Sequence, residues 1–173
     1  MSLKPAVSKT DNRQGSDKAV IELVEYGDYQ CPHCGHAYPI IKKIQKALGE
    51  KLLFVFRNFP LQEIHEDALL AAVASEAAAL QNKFWEMHDL IFENQQDLSE
   101  ENILALAESL KLDRKKFEKD LENEKLLDKV KADLESGIRS GVNGTPTFFV
   151  NGIKYNGSWE YADLLSYLKS LIK

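Results

Sequence analysis

Residues 19–49 read AVIELVEYGDYQCPHCGHAYPIIKKIQKALG, and the fold of the chain turns on them. Ala19 to Tyr26 is apolar on both faces, as a central buried strand is. The run from about Pro32 to Leu48 predicts a helix. Pro32 is tolerated in its first turn, and Gly49 can serve as its C-cap. Pro39 inside the run predicts a kink. Between strand and helix stand Cys31 and Cys34, the only two cysteines in 173 residues. A C-x-x-C at a strand-to-helix junction reads as a redox-active dithiol. Its first thiol would lie at the helix N-terminus, where unpaired N–H groups and the macrodipole favour a thiolate. The plainer alternative is an inert buried pair or a staple. The loop such a staple closes is too short to restrict much chain entropy.

The length suits one domain, or one domain with a sizeable insertion. With 44% hydrophobic and 28% charged residues, the composition is that of an ordinary globular protein. A formal charge of −5 gives no support for nucleic-acid binding, which needs clustered Lys and Arg. No apolar run approaches the roughly 18 residues that cross a bilayer. Residues 1–17 are polar and lack the apolar centre of a secretory signal, so they are expected to form a flexible arm or linker.

Beyond the first helix, Lys51 to Phe59 predicts a second strand, ended by Pro60. Helices follow over about Glu66 to Leu80 and Lys83 to Asn94. Ser99 and Asp113 can N-cap two more, and an amphipathic helix runs from about Glu124 to Ser140. Thr147 to Val150, Asn151-Gly152 and Ile153 to Tyr155 form a hairpin signal with a type I′ turn. A last helix is expected from about Glu160 to Leu171. The cluster Phe84, Trp85, Met87, His88 and Phe92 reads as core in preference to a substrate groove.

Two stretches, VIELVEYGDYQCPHC and GVNGTPTFFVNG (141–152), together with the helical stretch between them, resemble the DsbA-like thiol:disulfide oxidoreductases of the thioredoxin superfamily. The resemblance covers about residues 19–172. It implies an α/β thioredoxin-like fold over residues 18–62 and 140–173, with an all-helical domain inserted at 63–139. It implies that Pro146 is the cis-proline that faces the dithiol, with Pro32, Thr145 and Pro146 meeting substrate. The best-known oxidants of the family carry Val where this chain has Thr145. GTPTFFVNG and RNFPLQEIH also resemble domains found free or fused to larger membrane proteins.

The resemblance and the residues together assign roles. Cys31 is the expected nucleophile and Cys34 the resolving thiol. His33 would tune Cys31 electrostatically, with a plain exposed histidine as the alternative. His36 reads as helix surface. Glu25 stands where the family often holds a buried acid that relays a proton to the resolving thiol. The lysine that often accompanies that acid is not evident, since the second strand offers Phe54. No cofactor is expected beyond the Cys31–Cys34 disulfide, and no metal.

The expected partners are cysteine-containing protein substrates and a recycling protein, either a membrane quinone-linked oxidase or a reductase. The chain is expected to be a monomer in an extracytoplasmic compartment, with the cytoplasm as the alternative. Dithiol oxidase is the leading activity. A disulfide reductase or isomerase is the second, and a non-catalytic or metal-binding module the third. Metal binding is disfavoured because a zinc site draws about four ligands, usually from two separated pairs, and only one pair exists.

Overall fold

The computed structural model describes residues 1–172. The chain runs β1 (Asn12–Gly15), β2 (Ile21–Gly27), α1 (Pro32–Leu48), a short 3₁₀ turn, β3 (Leu52–Asn58), α2 (Ala68–Ala79), α3 (Phe84–Glu93), α4 (Glu100–Ser109), α5 (Arg114–Leu121), α6 (Glu124–Arg139), β4 (Thr147–Val150), β5 (Ile153–Lys154) and α7 (Tyr161–Ser170). One mixed sheet has the order β1-β3-β2-β4-β5. β2 and β3 are parallel, and the other neighbours are antiparallel. This is a thioredoxin-like α/β fold with a helical insert between β3 and β4.

Each predicted element forms, with ends shifted by one or two residues. β2 and β3 are buried almost throughout, as strands covered on both faces must be. Their side chains alternate between two cores. Leu23, Phe54, Phe56, Phe148 and Val150 pack with α1, α7 and the inserted helices. Val24, Tyr26, Leu53, Val55 and Phe149 pack on the opposite face with Leu3, Phe59 and Val142. α1 continues through the exposed Pro39 without interruption and ends at Gly49, whose φ is 51°. Ser99, Asp113 and Asn123 cap their helices through side-chain acceptors. Asn151 and Gly152 take φ of 48° and 78°, the positive pair that a type I′ turn requires.

Residues 1–17 are not a flexible arm. Asn12–Gly15 adds an edge strand to β3, and Leu3 is buried with its N–H on the Gly152 carbonyl at 2.8 Å. Arg57, buried on β3, takes most of its partners from this segment. Asp11 Oδ1 accepts from its Nε at 2.7 Å, the Pro5 carbonyl from Nη1 at 3.1 Å, and Tyr26 Oη from Nη1 at 2.9 Å. Burial works against the Asp11 carboxylate, yet bonds from Arg57 and the Ser8 backbone outweigh it and lower its pKa. The segment thus forms a strap across one sheet face.

The cluster around His88 is core, as its spacing suggested. Phe84, Met87, His88 and Phe92 are buried, and the His88 ring meets Phe56 edge-on at 4.7 Å. Trp85 Nε1 donates to the Arg13 carbonyl at 3.1 Å, tying α3 to the strap.

Candidate active site

Cys31 is the N-cap of α1, and Pro32 occupies the first helical position, where a missing N–H costs nothing. Cys34 sits one turn in and is fully buried, while Cys31 keeps 5% exposure. Both carry free thiols. The two sulfurs have opposite surroundings. A hydrogen bond from the Cys34 thiol does most to lower the Cys31 pKa. Burial opposes it, and Thr145 and the backbone N–H groups of Cys34 and His33 add to it, bringing Cys31 down from 9.0 to about 5. Burial pushes the Cys34 thiol well up, and its donation to Cys31 and the nearby Glu25 push the same way. The Asp28 N–H donates to Cys34 Sγ at 3.4 Å and opposes that rise.

The Thr145–Pro146 bond is cis, and Cys31 Sγ lies 3.5 Å from the Thr145 carbonyl oxygen. The Thr145 hydroxyl is buried without another partner. It is therefore free to donate to Cys31 when the sulfur is a thiolate. Pro32 is exposed beside the pair.

Glu25 projects from β2 on the α1 side and is buried, with Phe56 as its register partner on β3. That face of β3 offers Phe54 and Phe56 and no lysine. Burial, followed by repulsion from the Cys31 thiolate, raises Glu25 from 4.5 to about 8. His33 is exposed, and the contact it supplies to Cys31 is its backbone N–H. His36 is on the helix surface, 3.1 Å from Glu160.

Two site residues were not anticipated. Asp28 is buried and organises the loop before α1. Its carboxylate accepts from the N–H groups of Gln30 at 2.8 Å and Leu61 at 2.9 Å, and lies 2.7 Å from His65 Nδ1. Gln95, between α3 and α4, donates through Nε2 to the carbonyls of Tyr29 and Cys31. Neither stands out by periodicity. The signal available for Gln95 was Gly35, a glycine in the first turns of a helix where alanine is the better former.

The fold and this dithiol define a class, and comparison with known proteins agrees. Residues 7–170 match the sequence model of a thioredoxin family. The chain belongs to that family and has the fold of the DsbA-like thiol-disulfide oxidoreductases. BdbD from Bacillus subtilis is a solved neighbour with a TM-score of 0.85 and 27% identity, covering 99% of this chain and 97% of that one. A thioredoxin-like oxidoreductase from Silicibacter pomeroyi superposes with a TM-score of 0.82 at 24% identity, over 95% and 91% of the two chains, a likeness of fold. Among curated proteins, Na(+)/H(+) antiporter NhaA 1 of Mycolicibacterium vanbaalenii is 40% identical over 170 residues, or 97% of this chain and 28% of the relative. The chain thus spans about a quarter of the length of the curated relatives it matches. Among the described residues no helix is long and apolar enough to cross a membrane.

Proposed function

We propose that the chain is a dithiol oxidase of protein substrates. The observation that supports this most is the contrast between a stabilised Cys31 thiolate at the α1 N-cap and a buried, protonated Cys34 behind it. A thiolate held by the fold stabilises the reduced form and so makes the disulfide a stronger oxidant.

The reaction starts from the Cys31–Cys34 disulfide. A substrate thiolate attacks Cys31 Sγ, forming a mixed disulfide and releasing Cys34 as a thiolate. Glu25, held neutral at pH 7, gives its proton to Cys34 and is reprotonated from solvent. A second substrate thiolate attacks the substrate sulfur of the mixed disulfide, and Cys31 leaves as a thiolate. The substrate loses two electrons and gains a disulfide; the enzyme gains the two electrons and keeps one proton on Cys34. The backbone beside cis-Pro146 can pair with an extended substrate strand. Both thiols and the proline loop come from one chain. A membrane oxidase or other thiol oxidant must restore the disulfide, and an extracytoplasmic setting suits that traffic. The antiport named for the longer relatives is not proposed for this chain.

The test is to mix the oxidised protein with a reduced, unfolded protein that carries paired cysteines. Substrate thiols should disappear in step with reduction of Cys31–Cys34. If the reduced protein instead passes electrons to substrate disulfides and the oxidised one is inert, the reductase reading takes its place.

A further inference from the structure

In the loop that presents Cys31, the Tyr29 and Cys31 carbonyls are bonded from outside by one side chain. Gln95 Nε2 donates to the Tyr29 carbonyl at 2.7 Å and to the Cys31 carbonyl at 2.9 Å. A primary amide nitrogen carries two N–H groups, and both are engaged. Two carbonyl acceptors also settle which end of the amide faces the loop. The Cys31 carbonyl accepts in addition from Gly35 N–H at 3.0 Å, an early rung of α1. Gly35 makes room for the amide. A Cβ at that position would overlap Gln95 Oε1 and stand 3.0 Å from Nε2. Helix propensity favours alanine over glycine in α1, so the glycine is accounted for by the amide above it.

We propose that Gln95 is a positioning residue of the redox site, by which the inserted helical region sets the reactivity of Cys31 through the backbone of Tyr29 and Cys31. The two N–H groups partner the Tyr29 carbonyl and add a second donor to the Cys31 carbonyl, which Gly35 N–H already meets. They also hold the N-cap so that Sγ stays on the N–H groups of His33 and Cys34 and against Thr145. Gly35 and Gln95 act as one device: filling the glycine expels the amide. The proposal rests on the reading of Cys31 as the nucleophilic thiolate.

The test uses the full chain with Gln95→Ala, Gln95→Met, Gly35→Ala and the combined Gly35→Ala/Gln95→Ala change. Three quantities are read: thiolate absorbance at 240 nm against pH, the redox equilibrium with glutathione, and thermal unfolding. Loss of the amide should raise the Cys31 midpoint by about one pH unit and make the disulfide about tenfold less oxidising, or ~30 mV for a two-electron couple. Gly35→Ala should do the same although alanine is the better helix former, and the combined variant should shift no further. If unfolding moves while the Cys31 midpoint and the glutathione equilibrium stay put, Gln95 is only structural and the proposal fails. Additive shifts in the combined variant overturn the coupling of Gly35 to Gln95. A parent protein without an acidic Cys31 midpoint would instead contradict the nucleophile assignment, which separates the two failures.

Discussion

The mouth of the site and the pocket behind it are one helical turn apart and have opposite electrostatics. At the mouth, Cys31 has donors on several sides: the Cys34 thiol, Thr145 and the N–H groups that open α1. In the pocket, Cys34 and Glu25 share burial, and no cation among the described residues offsets it. The same sulfur chemistry thus yields an anion in front and a neutral thiol behind. Burial alone does not decide the outcome, since both cysteines are buried. The count of aimed donors does.

The most severe way to break the contrast is to remove a sulfur. Cys31→Ser should abolish exchange with substrate thiols. Cys34→Ser should leave Cys31 reactive and, when offered a substrate that carries a disulfide, accumulate a mixed disulfide, seen as a mass adduct after non-reducing separation. Accumulation in the reverse variant would exchange the two roles.

Next in size is the pocket's acid. The raised Glu25 pKa means that the folded state holds a proton the unfolded state has released. Glu25 contributes no penalty below pH 4.5, and stability is lost as pH rises toward about 8. Glu25→Gln should therefore stabilise the fold at pH 7 by about 3 kcal/mol, with the gain vanishing near pH 4. It should also slow reduction of the disulfide, because amide nitrogen cannot supply the proton to Cys34. Urea unfolding across pH and stopped-flow reduction check the two effects.

The mouth has the opposite pH signature. A Cys31 pKa depressed to about 5 adds stability that is complete above the unfolded thiol's pKa and lost as pH falls through about 5. At pH 7 this is worth at most about 3 kcal/mol to the reduced form, against about 2 kcal/mol of chain entropy from the short disulfide loop. The reduced protein should be the more stable at pH 7 and the oxidised protein the more stable at pH 4. Urea unfolding of both forms reads the crossover; an oxidised form that is more stable at both pH values would favour the reductase.

The smallest change is at Thr145. Thr145→Val keeps the shape and removes the hydroxyl available to Cys31. Iodoacetamide labelling should show the Cys31 midpoint raised by about one unit, a tenfold effect. An unchanged midpoint would assign the stabilisation to α1 and Cys34 alone.

The order of elements was legible because each carried its own local signal. The buried run of β2, the capped helices at Ser99 and Asp113, and the Asn151-Gly152 turn all declare themselves within a few residues. The dithiol and Pro146 were legible for the same reason. The strap was not. Asn12–Gly15 is polar, and what holds it and the neighbouring Asp11 lies far away in sequence, at Arg57, Glu76 and Trp85. Gln95 lay equally out of reach, since a glutamine in a polar turn looks solvated until the turn is folded onto Tyr29 and Cys31. Glu25 was visible as a candidate, but its neutral state depends on Phe54 and Phe56 from the adjacent strand.

The opposite surroundings of the two sulfurs should separate their titrations widely. The direct measurement is the rate of alkylation at each cysteine of the reduced protein from pH 4 to 10, resolved by mass spectrometry. Cys31 should label alone with a midpoint near 5, and Cys34 should stay unlabelled through pH 9. A Cys31 midpoint near the ordinary thiol value of about 8.5, or prior labelling of Cys34, would contradict it.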